Sequence, residues 1–179
     1  MGLQIEDGKG TGSRAAVSTN RLNVSARADS RIFYHSRDDG DAYIVTSIDT
    51  AAAAEFNIYF QNTSSTQNFV VNEIALGSAV LAIFKIVTVT GTAAAGSVLT
   101  PVNMNRTSSK AASATCRGDG AITGLTEEHL LASVSVLADA SVVVDFHDAL
   151  ILGNNDAIAV EYDTGAGGTM HATILGYYE

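Results

Sequence analysis

The residues of this 179-residue chain that could do chemistry are scattered along it. The four histidines, His35, His129, His147 and His171, have no metal-ligand spacing between any two, and no Cys-x-x-Cys occurs. Cys116 is the only cysteine, and its neighbour Arg117 does not by itself make a nucleophile. The Gly-x-Ser-x-Gly turn that presents a catalytic serine is absent. Sugar cleavage would need two carboxylates across one cleft, and no spacing here selects a pair. The expectation is a protein that is not an enzyme and uses no metal or cofactor.

Four short motifs have an ordinary structural reading. Asp38-Asp39-Gly40-Asp41 is rich enough in carboxylates to hold a hard cation, but it lacks the closing Glu of an EF-hand loop. It reads as a solvated acidic turn, and Asn154-Asn155-Asp156 reads as a β-turn. Arg117-Gly118-Asp119 spells the tripeptide that integrins recognise, and it too reads as a turn. Gly8 to Gly12 (GKGTG) lacks the Gly-Lys-Ser/Thr closure of a phosphate loop. Tyr59, Tyr162, Tyr177 and Tyr178 suit a sheet rim or a subunit contact, or else an aromatic platform for a sugar. Tyr177 and Tyr178 are the candidates for surface binding.

Composition points to strands. Charged residues make up only 16% and hydrophobic ones 46%, so residues typical of helix surfaces are scarce. No apolar run reaches the roughly 20 residues of a membrane helix, and the longest, Val80 to Val89, is broken by Lys85. No basic-then-apolar signal pattern opens the chain, and a lone cysteine cannot staple the fold. Folding in a reducing cytoplasm is therefore expected.

The net charge of −9 is unevenly placed. Residues 1–37 carry Lys9, Arg14, Arg21, Arg27, Arg31 and Arg37 against Glu6, Asp7 and Asp29, which makes them +3. Residues 38–179 carry the remainder, −12. An acidic body repels nucleic-acid phosphate. A basic arm on that body suits an acidic partner, including a neighbouring copy. The arm's assembly candidates are Ile5, Arg14, Arg21, Leu22, Val24, Arg27 and Arg31.

Residues 1–37 read as an extended, polar, glycine-dotted arm with too little apolar surface for a core of its own. Residues 38–179 read as one domain. Glu55 to Gln61 alternates, with Phe56, Ile58 and Phe60 on one face, the period of a half-buried strand. Phe69 to Leu76 places Val70, Ile74 and Leu76 together. Val80 to Thr90 is a long β-branched run ended by Gly91. Val98 to Asn103, Ala114 to Cys116 and Ala121-Ile122 are weak. Leu130 to Leu137 and Val142 to Phe146 form a pair around Ala138-Asp139-Ala140. Ala157 to Tyr162 and Met170 to Tyr178 close the domain, flanking the turn Gly165-Ala166-Gly167-Gly168. Thr126 to Leu131 could instead be a capped helix, and Ala51 to Ala54 a helical turn. Roughly eight to ten short strands between Gly/Asn/Asp turns make an all-β antiparallel sandwich or jelly roll.

The N-terminal string Gln4 to Gly12, followed by Arg14-Ala15 and Asn20 to Val24, resembles a leader on structural proteins of tailed bacteriophage virions. The stretches Phe56 to Thr63, Leu99 to Arg106, Ala149 to Gly153 and Asp156 to Tyr162 are similar to the same family. The resemblance implies a capsid decoration protein, or the base of a head spike or fibre, built as a homotrimer. Its partner would be the major capsid protein or another virion protein. It would be made in the host cytoplasm and placed on the outer surface of the capsid. The alternative is a receptor- or glycan-binding fibre module.

Overall fold

The computed structural model describes residues 16–18, 21–23, 30–51, 54–165 and 167–179. The chain divides into two compact units, Met1–Ser30 and Arg31–Glu179. In the first, strands β1 (Ala16–Ser18) and β2 (Arg21–Asn23) pair antiparallel with Val17 opposite Leu22. Of the expected arm contacts, Arg21 and Leu22 lie on β2. Ile5, Arg14, Val24 and Arg27 fall outside the described residues.

The second unit begins at Arg31, earlier than the boundary at residue 37 drawn from charge. Its first element is a helical turn, α1 (Arg31–Tyr34), which runs into a π-turn over His35–Asp39. Arg31 pairs with Glu179, and the His35 ring stacks on Tyr177 at 4.4 Å, so these residues belong to the body. Gly40 ends the turn at φ 64°, where a Cβ would lie 2.7 Å from Ser108 Oγ.

Ten strands follow. They are β3 (Ala42–Ala51), β4 (Glu55–Asn62), β5 (Phe69–Ser78), β6 (Ala82–Ala94) and β7 (Ser97–Leu99), then β8 (Val102–Asn103), β9 (Ala114–Val136), β10 (Ala140–Leu152), β11 (Ala157–Gly165) and β12 (Gly168–Tyr178). They make two five-stranded antiparallel sheets, ordered β10-β5-β12-β3-β8 and β4-β11-β6-β9-β7, packed as a sandwich. The all-β sandwich read from composition and periodicity is the observed fold. Its main core joins the sheets through Phe60, Phe69, Ile74, Phe84, Ile158 and Val160. On β11 the expected face of Ile158, Val160 and Tyr162 is buried as a unit.

The strand details correct several readings. On β5, Ile74 and Leu76 share the main core, but Val70 packs with Ala42 and Tyr177 elsewhere. The register against β12 slips between Leu175 and Gly176, opposite Glu73 and Val71, so Asn72 is an extra residue that reverses the alternation. On β4, the pairing slips between Phe56 and Ile58, and Phe56 leaves the face of Ile58 and Phe60. That strand is also buried on both faces, since Asn57 and Tyr59 are nearly fully covered.

The cover comes from β9, one strand of 23 residues where the sequence suggested weak fragments, an alternative helix over Thr126 to Leu131 and a separate strand over Leu130 to Leu137. Residues 114–122 pair with β4, and residues 123–136 pair with β6. The pairings β4–β11, β11–β6, β6–β9 and β9–β4 thereby close a ring. Tyr59, Val87, Val89, Ile122, Ala157 and Ala159, drawn from all four strands, form a second core within it. Helix capping at Thr126 loses to the ladder, in which Glu127 sits opposite Val89 and Leu130 opposite Val87. The turn at Ala138-Asp139-Ala140 is real, since Ala140 N–H donates to Leu137 O. The strands it joins do not pair with each other. β9 runs with β6 and β10 with β5, so the turn carries the chain from one sheet to the other. Ala51 belongs to β3, and the helical turn expected over Ala51 to Ala54 falls on residues 52–53, which lie outside the described residues.

Candidate functional site

The aromatic platform does not form. Tyr59, Tyr162, Tyr177 and Tyr178 are all buried, at 3% exposure or less. Tyr178 lies edge-on to Tyr43 and Phe69, and its hydroxyl donates to Ser113 O at 2.8 Å. Burial and nearby negative charge push this phenol well above its usual range. Tyr177 is covered by His35 and Arg31, and burial followed by the charge of Asp148 pushes its hydroxyl up to about 12. These residues are core, where an apolar ring is worth more than an exposed one. Cys116 is also buried, and desolvation pushes its thiol up to about 12, far from a reactive thiolate.

The remaining motifs are engaged within the fold. Asp38 pairs with Arg37, Asp39 lies 2.9 Å from His35 Nδ1, and Asp41 binds Lys110 and the Tyr43 hydroxyl. Their carboxylates face separate partners. Among the described residues no group of three or more His, Cys, Asp or Glu could hold a metal. Arg117 donates to the carbonyls of Ala95 and Gly96, while Asp119 accepts from the Ile48 amide at 2.9 Å. The tripeptide is thus a bend in β9, with Asp119 at φ 51°. Asp156 accepts from the Gly153 amide, as the β-turn reading expected.

One charged cluster escaped the sequence reading. Lys85 on β6 stands 3.3 Å from Glu161 Oε2 and also pairs with Asp163, both on β11. Glu161 is 8% exposed. Burial raises the affinity of its carboxyl for a proton, Lys85 lowers it, and Glu127 on β9 raises it further. Register explains the meeting, because Lys85 and Glu161 are directly paired across β6 and β11. The lysine supports the carboxylates as a structural counter-ion.

An accessible seam runs along β9 and β10. β10 is the end strand of its sheet, bonded to β5 on one side and to no described strand on the other. The second half of β9 follows β6 on one side only. The turn at Asp139 joins these two edges. Leu130, Leu131, Leu137, Val143 and Ile151 are exposed along them. So are Glu127, Glu128, Asp139 and Asp145. Near the far end, a hollow of about 260 Å³ is lined by Glu128, His129, Ile151 and Asp156 among others. A larger, open groove of about 420 Å³ lies near the turn, with Asp139, Ser141, His171 and Thr173 in its wall. A simple sequence signal marks the seam. After Arg117 the chain has no Lys or Arg, yet it carries ten Asp and Glu.

No protein-family model matches this chain, and comparison with curated proteins and with solved structures finds no match.

Proposed function

We propose that this chain is a non-enzymatic structural protein of a bacteriophage virion. It decorates or stabilises the capsid, or forms the base of a head spike, as a homo-oligomer for which a trimer is favoured. Its basic N-terminal segment is the element that places it. The protein is made in the host cytoplasm and ends on the outer surface of the particle, against the major capsid protein or another virion protein.

The observation that carries this reading is the seam of β9 and β10. Two strand edges without a partner among the described residues, with exposed leucine, valine and isoleucine, suit a building block that is completed by a neighbour. The division of the chain at Ser30 and the resemblance of its N-terminal string to virion leaders support the same role. The buried tyrosines take away the feature that favoured a glycan-binding module.

The test uses particles assembled without this protein. The wild-type chain is expected to co-sediment with them. A folded variant carrying Arg14→Glu, Arg21→Glu and Arg27→Glu is expected to stay in the supernatant. Failure of the wild type to bind, or equal binding by the variant, overturns the reading.

A further inference from the structure

We infer that the β9/β10 seam of one copy is the docking site for the basic N-terminal segment, residues 8–28, of a second copy. The inference rests on the reading above in one respect, that this segment is the placing element.

The seam offers three things at once. Its outer edge presents backbone N–H and C=O groups without strand partners among the described residues, which an incoming strand can satisfy. Its exposed side chains include large apolar ones, with Val143 at 55% and Ile151 at 50%. Its charge is of one sign, because Glu127, Glu128, Asp139, Asp145 and Asp148 fall on it and no Lys or Arg occurs between residues 118 and 179.

The sign decides the occupant. Pairing of two identical seams would set carboxylate against carboxylate, which destabilises a cross-strand pair. A basic, strand-forming segment fits instead. Residues 8–28 contain Lys9, Arg14, Arg21 and Arg27 and no acid. Among the described residues of this stretch, Ala16–Ser18 and Arg21–Asn23 form strand, as β1 and β2 pair with Val17 opposite Leu22. Apolar residues such as Val17 and Leu22 alternate there with polar ones, the pattern an added strand needs. The hollow of about 260 Å³ beside Glu128 and Asp156 is the size of one long side chain, and an arginine would meet carboxylates at its wall. Docking in trans follows from the assembly role, since an arm folded onto its own body joins nothing. A contact between two different patches propagates head to tail and closes into a ring when its rotation allows.

The experiment mixes two full-length variants, Leu22→Cys and Val143→Cys, and adds a long bismaleimide. Buried Cys116 stays unreactive in the folded chain. A covalent heterodimer joining the two variants is expected. Its yield should fall about tenfold when Arg14→Glu and Arg21→Glu are added to the arm-labelled chain. Adding Glu128→Lys and Asp145→Lys to the other chain should restore it. Absence of the heterodimer, or a yield indifferent to both reversals, overturns the inference. Heterodimers from a protein that ignores particles leave this inference standing and overturn the virion reading. Particle binding by a chain that stays monomeric overturns this inference and the homo-oligomer, and leaves only the placement on the virion standing.

Discussion

Gly91 on β6 and Gly124 on β9 meet so closely that a Cβ on Gly91 would lie 2.3 Å from Gly124 O. Gly91 has φ 101° and Gly124 φ 79°, and a Cβ on Gly124 would fall 2.5 Å from Thr92 O. The pair marks where the register of β6 and β9 slips, between Gly91 and Ala94. It is the crossing that lets one strand serve two partners and close the ring.

Substituting either glycine by alanine is therefore expected to destabilise the fold by roughly 2–4 kcal/mol, combining left-handed backbone strain with a backbone clash. Chemical denaturation of Gly91→Ala and Gly124→Ala checks this. Loss below about 0.5 kcal/mol in both would show that the crossing relaxes freely.

Asn57 gives a prediction of opposite sign. Its amide nitrogen and oxygen are fully buried and have no hydrogen-bond partner among the described residues. Its backbone carbonyl is served by the Ser47 hydroxyl at 2.7 Å and does not need the side chain. Burying an unpaired amide costs about 1–3 kcal/mol. Asn57→Leu, of similar volume, should raise the melting temperature, measured by calorimetry. A clear fall would mean that the amide has a partner worth keeping.

Glu161 links stability to pH. Burial raises its folded-state affinity for protons above that of the unfolded chain. The folded state then holds more protons than the unfolded one above the ordinary glutamate range. This group's contribution thus falls as pH rises from that range through its raised folded value, then levels off. Glu161→Gln should remove that decline and leave the variant at least as stable as wild type at pH 7. Lys85→Met should do the opposite and destabilise the fold, because Glu161 and Asp163 lose their shared cation. Melting curves of the three proteins across pH 4–8 read both effects.

The fold was legible where alternation was unbroken. β11 and its face of Ile158, Val160 and Tyr162 follow directly from period two. Reading failed where one residue was inserted into a ladder. Asn72 sends Val70 away from Ile74, and the slip beside Phe56 sends that ring into the second core. Such bulges leave no trace in local composition, because the partner strand decides them. β9 was the largest miss. Its glycines and polar residues look like loops, and only two different neighbours make it one strand.

The candidate site was partly legible. The charge split along the chain was plain, and so was the run of carboxylates after Arg117 once the seam gave it a place. Tyr177 and Tyr178, the candidates for surface binding, are buried, because β12 lies in the middle of its sheet. That same placement puts Tyr177 under His35 and Arg31, at the point where the body begins.

The central claim is that this is a building block joined to its neighbours through a basic segment and an acidic edge. Light scattering of the purified full-length chain across protein and salt concentration tests it most directly. The expected mass is a whole multiple of 18.6 kDa that falls toward one chain as salt rises. A single-chain mass at every protein and salt concentration would contradict it.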